Sequence, residues 1–337
     1  MSTSNLPDYM QYLLKKENYP HQPEEIRLVQ THISYVLIAD EFVYKWKKEV
    51  DFGFLNFSTF DKRKFYCEQE LALNRRLCPD IYLGLVTITR SGDSFELDGD
   101  GEVVEYGVKM ARMDEERMMA GVIGRGELTE AHLDSIIAQL VPFYESAAGD
   151  DSIKEFGRAK AVAVNVLENF EQTEGFIGQG GLSRERFDRI SDYAREFLKE
   201  SSRFDQRVDE GRIRDCHGDM YSANICLDDP VHIFDCIEFN ERFRYSDVAA
   251  DIAFLAMDLD YHGLKDFSDY FVDQFVKRSG DDGIREMLNF YKCYRAYVRG
   301  KIGLFTAADP EVDKDTAENC KRQAARYFEL AEKYARA

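Results

Sequence analysis

Residues 215–251, DCHGDMYSANICLDDPVHIFDCIEFNERFRYSDVAAD, decide the reading of this chain. They hold His217-Gly218-Asp219, then Asn224 five residues beyond that aspartate, and Asp235 eleven beyond the asparagine. Ile225-Cys226-Leu227 and Val231–Phe234 have the apolar, β-branched character of short strands. Asp228-Asp229-Pro230 between them is turn chemistry, because proline fixes its backbone angle and aspartate favours tight turns. The pattern predicts loop, strand, turn, strand, loop, with Asp219, Asn224 and Asp235 gathered at one end of the hairpin. Three oxygen-bearing side chains at a loop edge suit a hard cation, and Mg²⁺ is the one that accompanies nucleoside triphosphates. A surface turn with scattered acidic residues is the simpler reading, and His-Gly-Asp alone would not displace it. The full constellation with its strand pattern does.

Phosphoryl transfer needs this inventory: one carboxylate to orient or deprotonate the attacking hydroxyl, and an Asn and a second Asp to hold the metal. The order H-x-D-x-x-x-x-N, followed by a strand ending in Asp, matches the kinase catalytic loop and its metal-binding aspartate. The wording HGDxxxxN, FDCIEFN and SDVAADIAFL resembles the aminoglycoside phosphotransferase and choline-kinase-like small-molecule kinases. In particular it is similar to an uncharacterised bacterial branch of predicted aminoglycoside phosphotransferases. The resemblance implies ATP and Mg²⁺ as cofactors, Asp219 as the base, and Asn224 and Asp235 as metal ligands. It does not supply the acceptor.

The bulk properties agree with an enzyme of this kind. The chain has 337 residues, 44% of them apolar, and only seven prolines, enough for about two globular domains. A net charge of −19 argues against nucleic acid and against an anionic membrane surface as partners. Seven scattered cysteines without a CxxC pair argue for a reducing cytosol. The N-terminal wording lacks a signal-peptide pattern, and no apolar run approaches the ~20 residues of a membrane span. With six dispersed histidines and no HExxH, a zinc site is not expected.

Residues 8–19 are expected to form a short helix. From Thr31 the pattern alternates, HISYVLIA, a turn at Asp40-Glu41, then FVYKWKKEV. In the second strand Phe42, Tyr44 and Trp46 face one way and Val43, Lys45 and Lys47 the other. By resemblance the phosphate-binding lysine lies here: Lys45 fits best, and Lys47 is the fallback. The turn carries no glycine-rich loop, and no P-loop occurs in the chain, so phosphate contacts from this hairpin come from residues 31–34 or from the lysines. Asp51-Phe52-Gly53 lies on the wrong side of the catalytic loop to be a kinase DFG. A helix beginning near Ser58 and ending about Leu77 carries Cys67, Glu70, Leu71, Asn74 and Leu77 on one face. A carboxylate on such a face needs a partner. Lys45 is the obvious one for Glu70, with Glu68 the competing carboxylate and a neighbouring arginine the competing partner. After further strands, EYGVKMARMDEE is where the resemblance implies a hinge. Ala111 and Met113 would offer backbone groups to adenine, with Met110 behind them; ordinary core packing is the alternative for both methionines.

From Thr129 the apolar period becomes helical. The expected fold is α+β, a protein-kinase-like two-lobe fold with a small antiparallel-sheet N-terminal lobe over residues 1–112. A large, mainly helical C-terminal lobe over residues 113–337 carries the catalytic loop and the acceptor site. The expected function is transfer of the γ-phosphate of ATP to a hydroxyl of a small molecule. A catalytically silent ATP-binding regulatory module and a protein kinase are the rivals. Glu238 is a candidate metal or substrate group, and Asp251 a candidate brace for the catalytic loop or a simple carboxylate at a helix start. Arg295 and Arg299 recur with Tyr291 every four residues along one helix face. They either lie over apolar surface and pair with acidic neighbours, or line the cleft and hold a carboxylate or phosphate. The second reading favours an anionic or sugar-like acceptor; Asp258 and Asp260 are compatible with a polyamine instead.

Overall fold

A computed structural model describes residues 6–336. The chain divides into two compact units, one of Met1–Arg117 with Cys226–Asn240, the other of Met118–Ile225 with Glu241–Ala337. The re-entry of Cys226–Asn240 into the first unit is something a single boundary at 112/113 does not contain.

The first unit is a six-stranded antiparallel sheet with a helix against each face. Helix α1 (Asp8–Leu13) precedes β1 (Ile26–Gln30), β2 (Ser34–Ala39) and β3 (Phe42–Lys47). Helix α2 (Phe60–Asn74) leads to β4 (Tyr82–Ser91), β5 (Ser94–Leu97) and β6 (Glu102–Ala111), and the spatial order is β1-β2-β3-β6-β4-β5. Strand β1 lies outside the alternating segment expected from Thr31. It is an edge strand of half-exposed residues, so its sequence carries little apolar signal, and a turn in which the Ser34 N–H donates to the Thr31 hydroxyl (2.9 Å) joins it to β2. Alternation along β3 sends Tyr44 and Trp46 into the core beneath α1, with Met10, Leu13, Tyr19 and Leu37. Trp46 packs so closely on β6 that a Cβ at Gly107 would stand 2.7 Å from its ring, and glycine is needed there. The opposite core holds Cys67 and Cys78 with Ile81, Tyr82, Val108 and Met110. The N-cap of α2 is Thr59, whose hydroxyl accepts from the Lys62 N–H, rather than Ser58. Asp51-Phe52-Gly53 forms an exposed turn in which the Gly53 N–H donates to Asp51.

The second unit is helical: α3 (Met119–Gly124), α4 (Glu130–Ser146), α5 (Asp151–Lys154), α6 (Ala159–Thr173), α7 (Arg184–Lys199) and α8 (Ser201–Asp209) precede the catalytic stretch. The amphipathic helical pattern runs unbroken through residues 183–206. The backbone turns out of helical geometry at Glu200 (ψ 60°), which separates α7 from α8. Strand β7 (Ile213–Asp215) pairs antiparallel with β10 (Tyr245–Asp247), while the expected hairpin of β8 (Ile225–Cys226) and β9 (His232–Ile233) opens the segment that re-enters the first unit. Beyond the short α9 (Glu241–Arg244) come α10 (Val248–Tyr261), α11 (Lys265–Ser279), α12 (Ile284–Ala308) and α13 (Lys314–Tyr334). Every residue of α10 from Val248 to Leu259 is buried, as befits a helix apolar nearly all round. Among the described residues no helix is long and apolar enough to cross a membrane.

Candidate active site

In the sheet unit, Lys45 and Lys47 leave β3 on the face opposite Tyr44 and Trp46. Lys45 Nζ lies 2.8 Å from Glu70 Oε1 and 2.7 Å from Asp235 Oδ1. Lys47 Nζ lies 2.7 Å from Glu70 Oε2 and also pairs with Glu238. The charges therefore alternate along one chain, Asp235–Lys45–Glu70–Lys47–Glu238. Glu70 is 1% exposed and uses both carboxylate oxygens, which resolves the choice between Glu70 and Glu68. Lys47 is more than a fallback for Lys45. It is buried within the ion-pair chain, with its ammonium 4.6 Å above the Phe57 ring. Glu238 is 7% exposed and taken up by Lys47, so it is a buried counter-charge rather than a group presented to metal or substrate.

Burial alone would raise the Glu70 pKa, but the two ammonium groups override it and hold the carboxyl down to about 2. Burial pushes Glu238 up, and Lys47, with a lesser contribution from Lys45 and set against the like charge of Glu70, only partly offsets this. The sign of the linkage follows. The Glu70 contribution to stability is complete above the ordinary carboxylate value of 4.5 and is lost as pH falls toward about 2. Glu238 contributes in the opposite sense, because its folded form takes up the proton more readily. Glu70→Gln should accordingly destabilise the protein most near neutrality, and the gap between variant and wild type should close as pH falls through that window. Denaturant melts at several pH values measure this; a gap independent of pH would show that Glu70 is not ionised in the folded protein.

The loop carrying Asp235 is held by α2 and β4. Asn74 Oδ1 accepts from the Cys236 N–H (2.9 Å), and the Tyr82 hydroxyl accepts from the Asp235 N–H (3.3 Å). Asp235 has a positive φ of 62° and its side chain is 46% exposed, so a carboxylate bonded to Lys45 through Oδ1 still presents Oδ2 outward. At the end of β6, the Ala111 N–H is spent on the Ile81 carbonyl (2.8 Å) and the Arg112 N–H on Glu41. Of the two hinge candidates, Met113 alone has neither its N–H nor its C=O in a backbone hydrogen bond among the described residues. Met110 is buried in the core against α2, with Met113 packed on the same cluster.

In the helical unit, β7 runs into a loop in which Gly218 has φ 87°, a conformation that favours glycine. Asp251, fully buried in the first turn of α10, accepts from the His217 N–H (2.7 Å), the Gly218 N–H (3.0 Å) and the Tyr144 hydroxyl (3.1 Å). It is a brace for the loop, and three donors keep its charge satisfied without solvent. The Ser222 N–H is likewise held by Asp258 (2.9 Å). The Asn224 amide nitrogen donates to Asp219 twice, to the carbonyl and to Oδ2, both at 2.9 Å. That orientation leaves the Asn224 amide oxygen available to a cation. Taken each in its own unit, the Asp235 carboxylate and the Asn224 amide oxygen are hard donors of the kind Mg²⁺ accepts. Among the described residues no three His, Cys, Asp or Glu side chains form a cage, so a cation would draw its remaining oxygens from phosphates and water.

Arg295 and Arg299 do not behave alike. Arg295 is buried, lies 3.7 Å from Asp251 Oδ1, donates to the Ala250 carbonyl and packs over Phe254. It belongs to the support of the loop rather than to an acceptor site. Arg299 is half-buried over Tyr221. Sequence reasoning singled out neither Tyr221 nor the Tyr144 link to Asp251; both are aromatic residues in helical or loop patterns where packing is the default expectation.

No family model matches the chain. It is 33% identical over 294 residues to uncharacterized proteins of Mycobacterium tuberculosis and Mycobacterium bovis, a match covering 86% of this chain and 57% of theirs, so it spans little more than half the length of these relatives. Among solved structures it is similar to an amicoumacin kinase in complex with AMP-PNP and Ca²⁺, at 11% identity over 96% of this chain and 92% of that one, with a TM-score of 0.51. An aminoglycoside phosphotransferase of Streptomyces rimosus superposes less well, at 16% identity over 85% and 97% and a TM-score of 0.44. The fold is the kinase-like fold that the catalytic-loop wording resembles.

Proposed function

We propose that this chain is an ATP- and Mg²⁺-dependent phosphotransferase acting on a hydroxyl of a small molecule. The observation that carries the reading is Lys45, bonded at once to the buried Glu70 and to Asp235: a lysine–glutamate pair positions a nucleotide's phosphates in kinases, beside an aspartate that binds the metal. Bound with the nucleotide, Mg²⁺ supplies neutralisation of charge on the phosphates. Lys45 anchors the phosphates, Met113 offers its free backbone groups to the base, and Asn224 and Asp235 are oxygen donors to the metal. The acceptor oxygen bonds to the γ-phosphorus as the bridging bond to the β-phosphate breaks and ADP leaves. The acceptor proton passes to the Asp219 carboxylate, which Asn224 orients.

The solved amicoumacin kinase holds an ATP analogue and a divalent ion, which supports nucleotide use here. The test is consumption of ATP by the purified chain with Mg²⁺ and a panel of metabolites and aminoglycosides. Acceptor-dependent ADP release, sharply reduced in Asp219→Asn, is the expected result. Nucleotide binding without turnover on any acceptor would favour a silent regulatory module, and phosphorylation of protein alone would favour a protein kinase.

A further inference from the structure

Arg295 and Arg299 stand one helical turn apart on α12, yet only the first has a carboxylate partner. Among the described residues no carboxylate lies within ion-pair distance of Arg299, in a chain with 63 acidic residues. Its guanidinium carbon sits 4.6 Å over the Tyr221 ring and 5.8 Å from the Tyr327 ring, and its buried Nε has no hydrogen-bond partner. Both rings are backed: Tyr221 stacks on Phe254 (5.4 Å, 10°) and Tyr327 on Tyr261 (3.9 Å, 10°). Tyr221 supports the guanidinium on a face and the Tyr327 hydroxyl takes up one donor, and what remains for a ligand is the rest of its in-plane donor edge, the edge that binds carboxylate or phosphate. Tyr221 is two residues from Asp219, and Asp219 is among the groups whose charge acts on Arg299.

The two acidic residues that the sequence offered for an amine, Asp258 and Asp260, are both engaged within the fold. Asp258 takes the Ser222 N–H, and Asp260 is paired with Lys292 (2.9 Å) and bonded by the Tyr334 hydroxyl. We infer that Arg299 makes the acceptor a hydroxy compound that also carries a carboxylate or phosphate, and that it disfavours a polyamine. The inference rests on the phosphotransferase reading for the hydroxyl, and on Arg299 alone for the anion.

The experiment uses matched probes: glycerol, D-glycerate, glycerol 3-phosphate, ethanolamine and kanamycin. ATP consumption and direct binding by saturation-transfer NMR are measured with wild type, Arg299→Lys and Arg299→Gln, each first checked for an unchanged melting midpoint. The anionic probes should bind and turn over better than glycerol. Arg299→Gln should raise KM for them roughly 10- to 100-fold, the scale of lost charge-assisted hydrogen bonds, with KM for ATP unmoved and the lysine variant between. Whether glycerate or glycerol 3-phosphate is the better ligand identifies carboxylate or phosphate as the recognised group. Failure of wild type to bind either anion, or equal binding by Arg299→Gln, overturns the inference. So does phosphorylation of ethanolamine or kanamycin indifferent to Arg299, although the phosphotransferase reading then stands. Arg299-dependent anion binding with no ATP consumption on any probe has the opposite meaning: the anion site stands and the phosphotransferase reading falls. If both variants melt early, binding of the anionic probes to wild type, competed by inorganic phosphate and absent for glycerol, decides the matter.

Discussion

Asp219→Asn is expected to lower turnover roughly 10²- to 10⁴-fold, the usual worth of a general base, while nucleotide affinity stays nearly unchanged. The asymmetry follows from where the carboxylate acts. In the proposed step it takes the proton of the acceptor hydroxyl and touches no phosphate. The substitution also keeps the loop intact: His217 and Gly218 remain tied to Asp251, and Asn224 keeps its hydrogen bond to the Asp219 carbonyl. Saturating kcat and the dissociation constant of a fluorescent nucleotide are the two measurements. Loss of nucleotide affinity with turnover preserved would assign Asp219 to the nucleotide instead of the acceptor.

Asp235→Ala should cut Mg²⁺-dependent nucleotide binding by roughly 10³-fold, the several kcal/mol that a correctly held cation contributes to charge neutralisation. Lys45 would survive the change paired with Glu70, so the defect should appear in metal dependence and not as general loss of lysine positioning. Because Asp235 sits at positive φ, part of the alanine effect would be backbone strain. Asp235→Asn, which tolerates that conformation, is the control, and Asn224→Ala should give a smaller defect of the same kind. Mg²⁺ titrations at fixed ATP distinguish the outcomes. Metal dependence unchanged in both alanine variants would move the cation elsewhere.

The lysine–glutamate pair was legible in local wording. Alternation along FVYKWK puts Lys45 and Lys47 on one face whatever surrounds them, and helical spacing puts Glu70 on the buried face of α2. A buried carboxylate and a strand lysine of opposite charge then need one another. The hairpin of β8 and β9 was legible for the same reason, since Asp-Asp-Pro between two apolar runs leaves few other conformations. The edge strand β1 was not, because half-exposed residues carry no alternation to read.

What only the tertiary structure decided is which charges are already taken. Glu238 follows Asp235 by three residues and looks like a second metal or substrate group, yet Lys47, 191 residues away, claims it. Arg295 and Arg299 have the same residue type, the same helix and the same face, and the period of α12 cannot tell them apart. Asp251 stands opposite one and tyrosine rings opposite the other. Periodicity is a property of consecutive residues and determines the direction in which a side chain leaves the backbone. The partner it meets there comes from packing between elements distant in sequence, and that partner decides whether a charged group supports the fold or is left for a ligand.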